Sequence, residues 1–147
     1  MRQPRLSVIL PRVRLRYLIV DDSASFLAAS RRLLERQGLN VVGVASTIRE
    51  CLRRVSELAP DVILVDVDLG EDSGFELARR LARRAVGSDV IFISMHPVDD
   101  YADLIAKSGA LGFLTKADLS REAIEELVRN AGWESDPGWD ASGTREK

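Results

Sequence analysis

The chain has 147 residues, 46% of them hydrophobic and 30% charged, with a net charge of −2. That suffices for one domain with its own core, in the balance of a globular protein. A single cysteine, Cys51, excludes an internal disulfide, and no apolar run approaches the roughly 18 residues of a membrane span.

The apolar patch LSVIL near the start is too short for a signal peptide. The expected location is therefore the cytoplasm. Charge is unevenly spread. Residues 1–16 carry five arginines and no acid, while the remainder holds 16 basic against 23 acidic residues, a net −7. A body that acidic is a poor nucleic-acid binder, because phosphate contacts need a basic face. Neither direct nucleic-acid binding nor membrane insertion is expected. Residues 1–14 read as a flexible basic arm, 15–132 as the domain, and 133–147, rich in Gly, Ser and Asp, as a disordered tail holding Trp133 and Trp139.

Five apolar runs follow one another: YLIV (17–20), VVGVA (41–45), VILV (62–65), VIFI (90–93) and LGFL (111–114). Helical spacing fills the gaps. The first helix, over 23–37, puts Phe26, Leu27, Leu33 and Leu34 on one side and stops at Gly38. The second opens at Thr47 with Glu50 three residues on, a capping-box pattern, and turns Ile48, Leu52 and Val55 inward. The third, 75–84, turns Phe75, Ala78 and Leu81 inward and leaves Arg79, Arg80, Arg83 and Arg84 outside. The fourth, 98–107, offers Tyr101, Leu104 and Ile105; the fifth starts near Ser120 and offers Ala123, Ile124, Leu127 and Val128. Strand and helix alternate five times, which predicts an α/β fold: a doubly wound, five-stranded parallel sheet with helices on both faces.

In such a sheet, ligands bind beyond the carboxyl ends of the strands. The residues there are Asp21 and Asp22 after the first run, Asp66 and Asp68 after the third, Ser94 and His96 after the fourth, and Lys116 after the fifth. Each alone has a bland reading as a cap or a solvated side chain. As a set they converge on one edge. Clustered carboxylates repel unless a cation joins them, and their hard oxygens suit Mg²⁺ with a phosphate. A free Asp carboxylate beside such an ion and a lysine is a candidate nucleophile toward a phosphoryl group.

The segments LIVDD (18–22), DVILVD (61–66), Gly74 in EDSG, FIS (92–94) and GFLTK (112–116) resemble the receiver domain of two-component response regulators over about residues 15–131. The resemblance implies a flavodoxin-like receiver fold and a phosphorelay role. Asp66 would be the phosphoacceptor, taking a phosphoryl group from a sensor histidine kinase or phosphotransfer protein. Asp22, Asp66 and the backbone carbonyl of Asp68 would hold Mg²⁺, with Asp21 acting mainly through water. Ser94 would be the switch hydroxyl, Lys116 the phosphoryl contact and Phe113 the aromatic switch. Output would be protein binding through the fourth helix, fifth strand and fifth helix, with a homodimer among the outcomes. The implied role is signalling, with enzymatic activity limited to self-phosphotransfer and autodephosphorylation.

Four positions stand out against that pattern. Ala117 stands where a proline often follows the lysine, in a cis peptide. Gly70 stands where a proline is common after the acceptor, and is expected to loosen that loop. Asp68 and His96 occupy positions that tune phosphoryl lifetime in the family. About 15 residues follow the fifth helix, too few for a helix-turn-helix domain, so the reading is a stand-alone receiver, with a fragment of a longer regulator as the alternative.

ILVDVDLG also resembles the first motif of haloacid-dehalogenase-like phosphatases, with Asp66 as nucleophile and Asp68 as general acid. The order of the motifs opposes it. That family's acidic metal pair follows the lysine, whereas Asp21 and Asp22 precede everything. A non-phosphorylated binding module on the same scaffold is a third reading, opposed by the completeness of the set.

Overall fold

The computed structural model describes residues 14–84 and 86–132. Five strands, β1 (Arg16–Val20), β2 (Asn40–Ala45), β3 (Val62–Asp66), β6 (Asp89–Ser94) and β7 (Gly112–Thr115), form one sheet in the order β2-β1-β3-β6-β7, every pair parallel. Two-residue strands β4 (Asp68–Leu69) and β5 (Asp72–Ser73) make a small antiparallel hairpin beyond β3. The helices are α1 (Ala24–Arg36), α2 (Ile48–Leu58), α3 (Gly74–Arg83), α4 (Ala102–Ser108) and α5 (Arg121–Asn130).

Both faces of the sheet are covered. Tyr17, Ile19, Val62, Leu64, Ile91 and Ile93 pack with α1 and α5 on one side. Leu18, Val20, Ile63, Val65, Val90 and Phe92 pack with α2 and α3 on the other. Two-sided burial is why the strands read as unbroken apolar runs instead of alternating ones. Each fully buried aliphatic side chain contributes about 1.5–3 kcal/mol.

Four of the five helices, α1, α2, α3 and α5, begin within a residue of where the sequence places them. Ser23, Thr47, Ser73 and Ser120 each accept a backbone N–H of the first turn through the side-chain hydroxyl. The capping box of α2 differs in one detail. Thr47 accepts the Glu50 N–H, but the Glu50 carboxylate accepts from the Ser46 N–H at 2.7 Å, one residue earlier than the pattern requires. Those hydrogen bonds to Ser46 hold its carboxyl below the usual range, against burial and with help from Arg54 and Arg53.

Several side-chain expectations change. Cys51 is buried on α2 in place of Leu52, Leu77 is buried on α3, and Phe75 is only partly covered. Burial pushes the Cys51 thiol up to about 12. The fourth helix is shorter than 98–107: Val98–Asp100 is a 3₁₀ turn, and α4 begins at Ala102 with no buried residue. Leu104, expected inward, is 51% exposed. On α5, Arg121 and Glu125 are buried as a pair at 3.1 Å, and Arg121 also binds the carbonyl of Gln37 at the end of α1. Strand β2 carries a bulge. Its register against β1 slips between Tyr17↔Val41 and Leu18↔Gly43, so Val41 and Val44 reach the same face.

Arg14, counted in the basic arm, is tied to the domain by a hydrogen bond from Nη2 to the Gly38 carbonyl at 2.6 Å. The rest of the arm (1–13) and the tail (133–147), with Trp133 and Trp139, lie outside the described residues.

Candidate functional site

Asp21 directly follows β1, Asp66 ends β3, Ser94 ends β6, and Lys116 directly follows β7. Because β1, β3, β6 and β7 are neighbours and parallel, all four residues arrive at one sheet edge. Asp21 and Ser94 are fully buried and Asp66 is 4% exposed, while Asp22, beside them, is exposed. Lys116 closes the arrangement. Its Nζ lies 2.6 Å from Asp21 Oδ2 and 3.0 Å from Asp66 Oδ2.

Backbone donors and one ring fix the remaining geometry. The Ser23 N–H donates to Asp21 Oδ1 at 2.8 Å, and the Asp68 N–H donates to Asp66 Oδ1 at 3.0 Å. Ser94 Oγ accepts the His96 N–H at 3.0 Å, so its own proton stays free to be donated outward. The Lys116 ammonium sits 4.2 Å from the centre of the Phe26 ring, a cation–π contact that holds the lysine from the α1 side. Sequence reasoning placed Phe26 only in the core. Its visible signal was an aromatic one turn after the acidic pair.

Burial lifts the Asp66 carboxyl from 3.8 to about 6. The neighbouring Asp21 carboxylate adds to the lift, and hydrogen bonds from the Asp68 N–H and Lys116 oppose it. Burial pulls Lys116 down, but its hydrogen bonds and charge contacts with Asp21 and Asp66 win, and the ammonium titrates above its ordinary 10.5. A stability effect follows. With its folded value above its unfolded one, Asp66 favours folding when protonated and opposes it when ionised. Without metal, stability is therefore expected to fall as pH rises from about 4 to 6. In Asp66→Asn that slope flattens, as urea unfolding in EDTA across this range will measure.

Two glycines shape the loops. Gly70 has φ +68° at the corner of the β4–β5 hairpin, where a Cβ would sit 3.5 Å from Asp22 Oδ2. It turns the chain back at that corner, in a left-handed conformation that glycine adopts without strain. At Gly74 a Cβ would lie 2.2 Å from the Asp66 carbonyl oxygen, and only a residue without one lets α3 start against the phosphoacceptor candidate. The Lys116–Asp118 segment is a 3₁₀ turn, and no cis peptide occurs among the described residues.

The structure brings Asp21, Asp22, Asp66, Ser94 and Lys116 together. Asp68 and His96 flank them, exposed. Phe113 stands apart, half-buried in β7. It pairs with Phe92 across the sheet, 6.2 Å from the Tyr101 ring. Oxygens of Asp21, Asp22 and Asp66 lie within 4.8 Å of one another. Three carboxylates against one ammonium leave two negative charges when all are ionised. That donor set fits a hard divalent cation.

The response regulator receiver domain family's sequence profile matches residues 17–129. The chain belongs to that family, the receiver domains of two-component signalling. It is similar to the response regulator GacA of Pseudomonas aeruginosa, 32% identical over 116 residues, covering 78% of this chain and 52% of that one. It is also similar to the response regulator UvrY of Escherichia coli, 30% identical over 111 residues, covering 75% and 51%. The chain thus spans about half the length of the curated relatives it matches. Among solved structures, a LuxR-family two-component response regulator from Aurantimonas matches with a TM-score of 0.72 and 29% identity, over 84% of this chain and 89% of that one. The signal receiver domain of the putative response regulator NarL from Mycobacterium tuberculosis matches with 0.69 and 28%, over 80% and 95%. The phosphatase alternative finds no support in these matches. Among the described residues, no helix is long and apolar enough to cross a membrane.

Proposed function

We propose that this chain receives a phosphoryl group on Asp66 from the phosphohistidine of a sensor kinase or phosphotransfer protein. The observation that carries the reading is the bridging of Asp21 and Asp66 by Lys116 at the mouth of a buried strand. Asp22 and Asp66, with the Asp68 carbonyl, would hold Mg²⁺, and Asp21 would act through water. When bound, the ion supplies charge neutralisation for the entering phosphoryl oxygens.

The chain's own residues do the rest. A carboxylate oxygen of Asp66 attacks phosphorus, the phosphorus–nitrogen bond of the donor breaks, and its electron pair returns to the imidazole. The Asp68 N–H holds the carboxylate in place. Lys116, held by Phe26, presents a positive charge to the phosphoryl oxygens. The Ser94 hydroxyl donates a hydrogen bond to one of them. That bond favours a second arrangement of the domain, a population shift of the size of its differential interaction. Phe113, half-buried beside Tyr101, is placed to report the change at the face of α4, β7 and α5, where a protein partner would read it. Asp68 and His96, both exposed at the mouth, set how long the phosphoryl group survives.

Incubation with acetyl phosphate and Mg²⁺ tests the scheme by intact mass. The expected result is a gain of one phosphoryl group in the wild type and none in Asp66→Asn. Labelling that persists in Asp66→Asn, or steady turnover of p-nitrophenyl phosphate at enzymatic rates, would overturn it.

A further inference from the structure

The arginines of α2 and α3 take no part in the site above. The two helices lie side by side and leave a groove of about 460 Å³ between them, room for several side chains. Arg49 and Arg53 line it from α2, Arg80 and Arg84 from α3, and the half-buried Leu52 lies among them. Arg54, Arg79 and Arg83 stand on the same two helices. Seven arginines on and at the end of these helices stand against three carboxylates, Glu50, Glu57 and Glu76, but only Arg49, Arg53, Arg80 and Arg84, with Glu57, line the groove. Glu76 alone is shared by Arg79, Arg80 and Arg83, and Arg49 and Arg84 have no ion pair among the described residues. The groove lining, four arginines against Glu57, keeps about three positive charges in a body that is otherwise acidic, all of them from arginine, the side chain whose planar fork matches a carboxylate.

The same chain exposes the complement. The 3₁₀ turn and the start of α4 present Asp99, Asp100 and Asp103, none of them paired among the described residues, around a shallow recess. Next to these acids stand Val98 and Leu104, 42% and 51% exposed, and Met95 is 75% exposed at the end of β6. An acidic knob tipped with aliphatic side chains matches a basic groove with a leucine in its lining. The two cannot meet within one molecule. Arg80 and Arg84 turn toward α2, whereas the α4 side of α3 is lined by Phe75, Ala78, Ala82 and Arg83.

We propose that the α2–α3 groove receives the α4 knob of a second copy of this chain. The contact is heterologous, one patch meeting a different patch, so each copy keeps a free groove and a free knob and the assembly extends head to tail. Because the attraction is mainly between exposed charges, it weakens with salt.

Sedimentation of the full chain tests this in about 20 mM and about 500 mM NaCl. The expected average mass at low salt is twice the 16.3 kDa of one chain or more, falling toward one chain at high salt. Arg80→Glu/Arg84→Glu, with a broken groove, and Asp99→Lys/Asp103→Lys, with a broken knob, are each expected to stay monomeric. Mixed, each variant offers the other an oppositely charged surface, Asp knob to Arg groove and Lys knob to Glu groove, so assembly returns. That rescue also proves both variants folded. A wild type monomeric at low salt overturns the proposal, as does assembly surviving in either variant or a mixture that stays monomeric. A monomeric chain that binds a polyglutamate peptide through Arg80 and Arg84 also overturns it, and assigns the groove to a foreign acidic partner.

Discussion

Replacing Lys116 with methionine is expected to cost the metal-free protein about 3 kcal/mol, the scale for removing one partner of a buried ion pair. The loss arises because Lys116 is shared. Its ammonium, with the side chain 12% exposed, lies within 3.0 Å of both Asp21 and Asp66, whose own side chains are 0% and 6% exposed. Methionine keeps the length and the packing on Phe26 but leaves two buried carboxylates facing each other. The charge left behind has two outlets: protonation of Asp66, which burial already favours, or a divalent ion. Lys116→Met should therefore recover stability as Mg²⁺ is added, and by more than the wild type does. Urea unfolding with EDTA and with Mg²⁺ measures both numbers. The variant should also label with acetyl phosphate far more slowly, because among the described residues Lys116 is the cation that pairs with Asp66. Equal unfolding midpoints for Lys116→Met and wild type in EDTA would remove the lysine from the account.

Gly74→Ala is the second large effect, and it acts through the backbone. The added methyl would meet the Asp66 carbonyl oxygen at 2.2 Å, Val67 Cα at 2.9 Å and Asp66 carbonyl carbon at 3.0 Å. No side-chain rotation relieves such contacts, so the first turn of α3 or the end of β3 must move. A cost of about 3 kcal/mol is expected, at the upper end for overpacking. The Gly74 N–H also donates to the Val67 carbonyl at 2.9 Å, a bond the displacement would lengthen. Since the displaced backbone carries Asp66 itself, phosphoryl labelling should fall along with the melting temperature. Gly87→Ala, where a Cβ would meet nothing within 4 Å, is the control and should leave both unchanged. Unaltered stability in Gly74→Ala would show that the loop absorbs the methyl.

The legible part of this protein was set by local chemistry. Strands buried on both faces must be apolar throughout, so VILV and VIFI announced themselves without any partner in view. Helix starts were legible because an N-cap needs only a hydroxyl and the two or three amides that follow it, all contiguous in sequence. Asp21, Asp66, Ser94 and Lys116 were found as a group because every parallel strand delivers its last residue to the same edge. The fourth helix was less legible. Tyr101, Leu104 and Ile105 have helical spacing, but spacing says which residues share a face and not whether the sheet is wide enough to cover it. Only the tertiary structure left Leu104 in the open.

Sequence alone thus determined the alternating α/β order, the parallel sheet and the identity of the acids, the hydroxyl and the lysine at its carboxyl edge. Folding alone decided what depends on separations of tens of residues. It set the reach of Lys116 across β6 to two acids, the seat of Phe26 under the ammonium, the extra residue in β2, and the docking of Arg121 on Gln37. Those contacts join distant segments at close range. Their energies depend on a distance that no residue type encodes until the sheet has brought the partners together.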